Sequence, residues 1–214
     1  MTFEVLVVCS ANVCRSPMAG ALLHEGFAAA GLDEQVRVQT YGENATVGGR
    51  VCPNMASQAA ARRLHTDYLV LHRARQLVPE RVEEADLVLT SDRGVRAHVI
   101  RSSPAAHPRT FTLRQGTELA ALGRKDYGGD HLARDPETAL RSFIAEMNQL
   151  RGLTDAPQVQ KLRRRPWSRV AVHSHDIPDA HRAEGLHTLT ARLVISSTQE
   201  LVRHLTAAAL YTDL

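Results

Sequence analysis

The chain has 214 residues, 43% hydrophobic and 23% charged, which is enough apolar material for one large core and excludes wholesale disorder. Net charge is only +3 and unevenly placed: Arg151, Lys161, Arg163, Arg164, Arg165 and Arg169 stand against Asp155 alone, so no general nucleic-acid affinity is implied. No apolar run approaches the roughly 20 residues of a membrane span, "VLVV" lacks the basic flank of a signal peptide, and three cysteines make no disulfide framework, so a cytoplasmic protein with free thiols is expected.

"EVLVV" (4–8) reads as a buried strand. A helical pattern follows, with Met18, Leu22, Leu23 and Phe27 at three- and four-residue spacing and Gly31 where a C-terminal stop belongs. Next come a strand "VRVQTY" (36–41), a helix over 54–64, a strand "ADLVLTS" (85–91), a helix over 92–101 and a strand "RTFTL" (109–113). Residues 116–167 break the rhythm around "YGGD", "DAPQ" and "KLRRRPW", with one helix-like piece at 136–150. They lack a core of their own and read as an inserted flap within a single 1–214 domain. "SRVAVHS" (168–174) is again strand-like, and a last helix carries Leu186, Leu189, Leu193, Ser197, Leu201 and Leu205 down one face. Strands alternating with helices predict an α/β fold, a three-layer sandwich around a four-stranded parallel sheet of flavodoxin-like or Rossmann-like type.

The chemistry concentrates in "VCSANVCRSPMA" (8–19). Cys9 ends the first strand, the edge at which open α/β sheets hold ligands. The loop then enters a helix near Ser16, with Pro17 suited to its first turn. Backbone N–H groups of such a loop and the helix dipole together make an anion cradle, and the same field favours thiolate over thiol. Arg15 adds a planar fork of donors suited to phosphate oxygens. Cys-x5-Arg-Ser thus unites a nucleophile with a binder of tetrahedral oxyanions, as attack on a phosphate monoester requires. The plainer alternative is a buried structural cysteine beside a surface arginine. A nucleotide P-loop is excluded, since the Gly-rich run ending Gly-Lys-Ser/Thr is absent.

These residues resemble the active-site signature of the low-molecular-weight protein tyrosine phosphatases, Cys-x4-Cys-Arg-Ser-Pro. "LHRARQL" (71–77), "EEADLVLTSDR" (83–93) and "FTLRQ" (111–115) are similar to segments of bacterial members, and "VQTYGENATVGG" (38–49) occupies the place of a family turn. The resemblance implies the phosphatase I fold and hydrolysis of phosphotyrosine on proteins, with Cys9 forming a phosphocysteine. It implies that Arg15 and the N–H groups of Ser10, Ala11, Asn12, Val13, Cys14 and Arg15 bind the phosphoryl group. Asn12 would shape the loop, and Ser16 would hydrogen-bond the thiolate. It also implies a reversible disulfide between Cys9 and Cys14, which would protect the thiolate from irreversible oxidation; simple packing of Cys14 beneath the loop is the alternative.

The mechanism needs a proton donor, and the matching place is "HSHDIPDAHR" (173–182). The resemblance aligns Asp179 with the general acid and leaves Asp176 as a turn or cap residue before Pro178. Ala180 and His181 stand where the family has proline and an aromatic ring, so the loop loses rigidity and a wall for a phosphotyrosine ring. "GENATVGGR" (42–50) supplies no ring either. His173, His175, Asp176, Asp179 and His181 could be read as a metal cluster, but no supporting ligands are evident elsewhere, so no metal or cofactor is expected. "KLRRRPWSR" (161–169), with Trp167, reads as a solvated basic run or a docking site for an acidic protein partner, not as a nucleic-acid or membrane site. A thiol-dependent arsenate reductase and a catalytically weak phospho-binding module are the alternative functions.

Overall fold

A strand as apolar as the first must be covered on both faces. In the computed structural model, which describes residues 2–64, 67–126, 135–154, 158–165 and 168–210, β1 (Phe3–Cys9) is an inner strand of a four-stranded parallel sheet. The order is β2 (Val36–Gly42), β1, β3 (Leu87–Thr90), β4 (Thr110–Thr112). Phe3 lies opposite Val36 and Cys9 opposite Gly42, while Val5 lies opposite Leu87. The chain moves from β1 to β2 on one side and reaches β3 and β4 on the other. The direction of winding therefore reverses between β1 and β3, which opens a crevice at their C-terminal ends.

Side chains alternate across the sheet. Phe3, Val5, Val7, Leu87, Leu89 and Phe111 join the larger core, with α1 (Arg15–Ala29), α2 (Pro53–Ala60), α6 (Leu113–Asp126), α7 (Pro136–Gln149) and α8 (Leu186–Leu210). Leu6, Val8 and Val88 face a smaller core under α4 (Pro79–Glu84) and α5 (Arg93–Ser102). This is the expected three-layer α/β sandwich. A short α3 (Asp67–Leu71) packs beside α1. Gly31 ends α1 in the left-handed region at φ 70°, where its N–H reaches Ala28 O and that of Leu32 reaches Phe27 O. No helix among the described residues is long and apolar enough to cross a membrane.

Two expectations meet a different arrangement. The strand-like run at 168–174 does not extend the parallel sheet; β6 (Ser168–His173) pairs antiparallel with β5 (Val159–Arg165) in a separate hairpin. The reason lies in its pattern, since Arg169 and Ala171 are exposed whereas every residue of β3 is buried. Within 116–167, read as a flap without a core of its own, α6 and α7 contribute to the main core: Leu119, Leu140, Phe143 and Met147 are fully buried. Only β5 of the described part of that segment is mostly exposed. Trp167 lies outside the described residues.

Candidate active site

The loop from Cys9 to Arg15 spans the C-terminal end of β1 and the start of α1, and its carbonyls from Cys9 to Val13 are all bonded to other segments. Those of Cys9, Ser10 and Ala11 accept from the N–H groups of Glu43, Asn44 and Thr46. That of Asn12 accepts from His72 Nε2 at 2.8 Å, that of Val13 from Cys52 N–H and that of Cys14 from Met18 N–H. With its carbonyls engaged elsewhere, the loop has the character of an anion cradle, and its Asn12 N–H is directed to the Cys9 sulfur. Asn12 is fully buried with φ 57°, a left-handed conformation that asparagine adopts more readily than most residues. Its side chain ties the loop to the start of α1, donating to Ser16 Oγ at 2.8 Å, and to the segment before α4, accepting from Arg75 N–H at 2.9 Å. Burial lowers the pKa of His72, so the ring is neutral and gives its Nε2 proton to the loop.

Cys9 Sγ sits at the rim of this cradle, 3.0 Å from Ser16 Oγ and 3.3 Å from Asn12 N–H. Ser16 Oγ accepts from Asn12 Nδ2, and its own proton has two acceptors within reach, the Cys9 sulfur at 3.0 Å and Tyr41 O at 3.4 Å.

Arg15 is buried, and its guanidinium spans the crevice. Nη1 donates to Asp92 Oδ2 at 2.8 Å and to Ile177 O at 3.0 Å, and Nη2 lies 3.3 Å from Asp179 Oδ2. Asp92, just beyond the end of β3, also caps α5 by accepting from Val95 N–H. Asp179 therefore faces the loop, whereas Asp176 turns away to Arg93, accepting from its N–H, Nε and Nη2. The 176–179 loop is held by Ile177 N–H on Ser91 O and by Thr190 Oγ1 on Pro178 O. Burial, and then the Cys52 sulfur beside it, push the Cys14 thiol well above the ordinary thiol range. Cys14 Sγ lies 3.0 Å from His181 Nε2.

The family model for low molecular weight phosphotyrosine protein phosphatases matches residues 4–126. The chain belongs to this family. Low molecular weight protein-tyrosine phosphatase A of Mycobacterium tuberculosis is 35% identical over 134 residues, covering 60% of this chain and 78% of the relative. A protein-arginine-phosphatase of Geobacillus stearothermophilus is 32% identical over 115 residues, 54% of this chain and 72% of the relative. Among solved structures, the YwlE arginine phosphatase of G. stearothermophilus superposes with a TM-score of 0.62 at 20% identity, over 99% of this chain and 98% of its own. The tyrosine phosphatase Wzb of Escherichia coli K30 does so at 0.58 and 16%, over 95% and 98%. These two likenesses concern the fold.

In this family member every residue expected at the site, from Cys9 through Ser16 together with Asp179, gathers at one crevice. The region matched by the family model ends before Asp179. Of the residues that could be read as a metal cluster, His175 is buried against Glu118, 3.2 Å away, Asp176 is engaged by Arg93, and His181 lies 3.0 Å from the Cys14 sulfur. Sequence reasoning missed Asp92 and His72. Asp92 carries a usable signal, because "TSD" follows a strand whose end borders the crevice. His72 carries none, since its role depends on a contact across 60 residues.

Proposed function

We propose that this family member hydrolyses phosphomonoesters on proteins, phosphotyrosine first among them, with Cys9 as nucleophile and Asp179 as general acid. The observation that carries the reading is the set of loop carbonyls from Cys9 to Val13, all bonded to other segments, around a cysteine sulfur at the rim. The Cys9 sulfur attacks phosphorus as the ester P–O bond breaks, and Asp179 protonates the departing oxygen. Water then attacks phosphorus and gives its proton to Asp179, the P–S bond breaks, and phosphate leaves with the thiolate restored. Arg15 and the loop N–H groups stabilise the phosphoryl oxygens, and Asp92 is a positioning residue for the guanidinium. Asp179 is favoured over Asp176 because it borders Arg15, while three Arg93 donors occupy Asp176. We further infer that residues 1–214 act as one catalytic domain, that the enzyme is cytoplasmic, in keeping with its three buried free thiols, and that Cys9 and Cys14 can pair on oxidation. The exposed β5 is the inferred contact for an acidic protein partner.

The test is aryl phosphate turnover by wild type, Cys9→Ser, Asp179→Asn and Asp176→Asn. Cys9→Ser is expected to abolish turnover, and Asp179→Asn to lower kcat about 10²- to 10⁴-fold, most for poor leaving groups. Asp176→Asn should retain most of its activity. Turnover that persists in Cys9→Ser removes the nucleophile assignment. Phosphoarginine and, with added thiol, arsenate run alongside; faster turnover of either than of phosphotyrosine refutes the proposed specificity.

A further inference from the structure

Beside the crevice, four side chains from distant parts of the chain bring their softest donor atoms together. Cys14 immediately precedes α1, Cys52 immediately precedes α2, His181 lies in the loop after Asp179, and His187 is in the first turn of α8. One ligand atom from each, two sulfurs and two imidazole nitrogens, all lie within 4.8 Å of one another. The Cys14 Sγ to His181 Nε2 distance is 3.0 Å and that from Cys52 Sγ to His187 Nε2 is 3.4 Å. The two rings meet edge to face with centroids 5.0 Å apart.

We propose that Cys14, Cys52, His181 and His187 form a tetrahedral Cys2His2 site for a divalent zinc-like cation. With bond lengths of about 2.3 Å to sulfur and about 2.0 Å to nitrogen, the edges of such a tetrahedron are roughly 3.3–3.8 Å, so side-chain adjustments of an ångström or less complete it. Five residues separate His181 from His187, within the spacing common for paired histidine ligands of zinc. Both cysteines are buried, whereas His181 is exposed and offers a path from solvent. Loading releases one proton from each thiol, and two thiolates with two neutral imidazoles leave a centre of zero net charge.

The site would brace one loop against the other. Cys14 belongs to the phosphate cradle, and His181 N–H donates to Asp179 Oδ1 at 2.9 Å. Cys52 N–H is also bonded to Val13 O. A cation held by all four would tie the Asp179 loop to the cradle, giving the rigidity that Ala180 does not supply. Only this bracing role rests on the proposed function; binding of the cation does not.

The experiment titrates chelator-treated full-length protein with Co²⁺ and follows its absorption. Expected are one equivalent bound, tetrahedral d–d bands in the visible, a thiolate-to-cobalt charge-transfer band in the near ultraviolet, and displacement by Zn²⁺. Cys52→Ala and His187→Ala should lose these bands, and Cys9→Ser should keep both bands and stoichiometry. Circular dichroism checks that the variants fold; if one does not, the wild-type spectrum and a Zn²⁺-dependent rise in Tm still decide. A weak six-coordinate spectrum in wild type, bands that survive in folded Cys52→Ala and His187→Ala, or bands lost in Cys9→Ser would overturn the proposal.

Discussion

Gly42→Ala tests whether the cradle is held from outside. Gly42 ends β2 opposite Cys9, and its N–H and carbonyl are bonded to Arg75 and Leu77. A Cβ there would stand 2.6 Å from Ser10 O, 3.0 Å from Ala11 C and 3.0 Å from Asn12 N. All three are backbone atoms of the loop, so no rotamer change relieves the contact. Ser10 O must retreat by about 0.4 Å to reach the closest approach a real Cβ makes, and it is itself bonded to Asn44 N–H at 2.9 Å. Overpacking of this kind costs about 1–3 kcal/mol, or a Tm about 2–12 °C lower for a chain of this length. Since a displacement of an ångström can remove about 10²-fold in rate, a shift of this size should lower kcat/KM about tenfold. Gly152→Ala, whose Cβ would meet nothing within 4 Å, is the control and should leave both quantities unchanged. The assay pairs thermal melts with aryl phosphate kinetics. A Gly42→Ala enzyme with wild-type kcat/KM and Tm would show that the cradle yields freely and that its outward bonds do not hold its shape.

Three more outcomes follow from the same packing. Asn12→Ala combines a strained φ of 57° with loss of two hydrogen bonds and should destabilise by about 2–4 kcal/mol; Asn12→Gly relieves the strain and should be about 1 kcal/mol milder, as urea midpoints would reveal. Phe143→Ala should cost about 3–5 kcal/mol in the same urea measurement, because the ring is fully buried in the main core, and a loss below 1 kcal/mol would mean that α7 is not part of it. Burial lowers the His72 pKa in the fold, so its contribution is complete above the unfolded value of about 6.5 and is lost as pH falls through the folded one. Tm should therefore drop between about pH 7.5 and about pH 5.5, and His72→Gln should flatten part of that slope. An unchanged slope in the variant would assign the acid sensitivity to other histidines.

Much of the fold was legible because its signals are local. β1 has a single polar residue and so needs cover on both faces; the turn from Cys9 to Ser16 joins a strand end to a helix start; the periodicity of α7 and α8 needs no partner to be seen. The resemblance resting on those residues also pointed to Asp179. What remained hidden depends on how distant segments meet. The apolar face of α7 shows in its spacing, yet nothing in it says that the face joins the main core instead of capping a flap. The same holds for the strand-like 168–173, whose partner is β5 and not the parallel sheet.

At the site the division is sharper. Cys9, Asn12, Arg15 and Ser16 lie within eight consecutive residues, so turn chemistry alone brings them together. The Arg15 contacts with Asp92 and Asp179 cross 77 and 164 residues, and the Cys14 contact with His181 crosses 167. Such contacts exist because the sheet reverses its winding between β1 and β3, opening one crevice onto which the ends of both strands and the loop before α8 all empty. The amino-acid sequence by itself determined a strand, a cradle and a helix start; the order of the strands decided which carboxylate faces the arginine, and which histidines face the second and third cysteines.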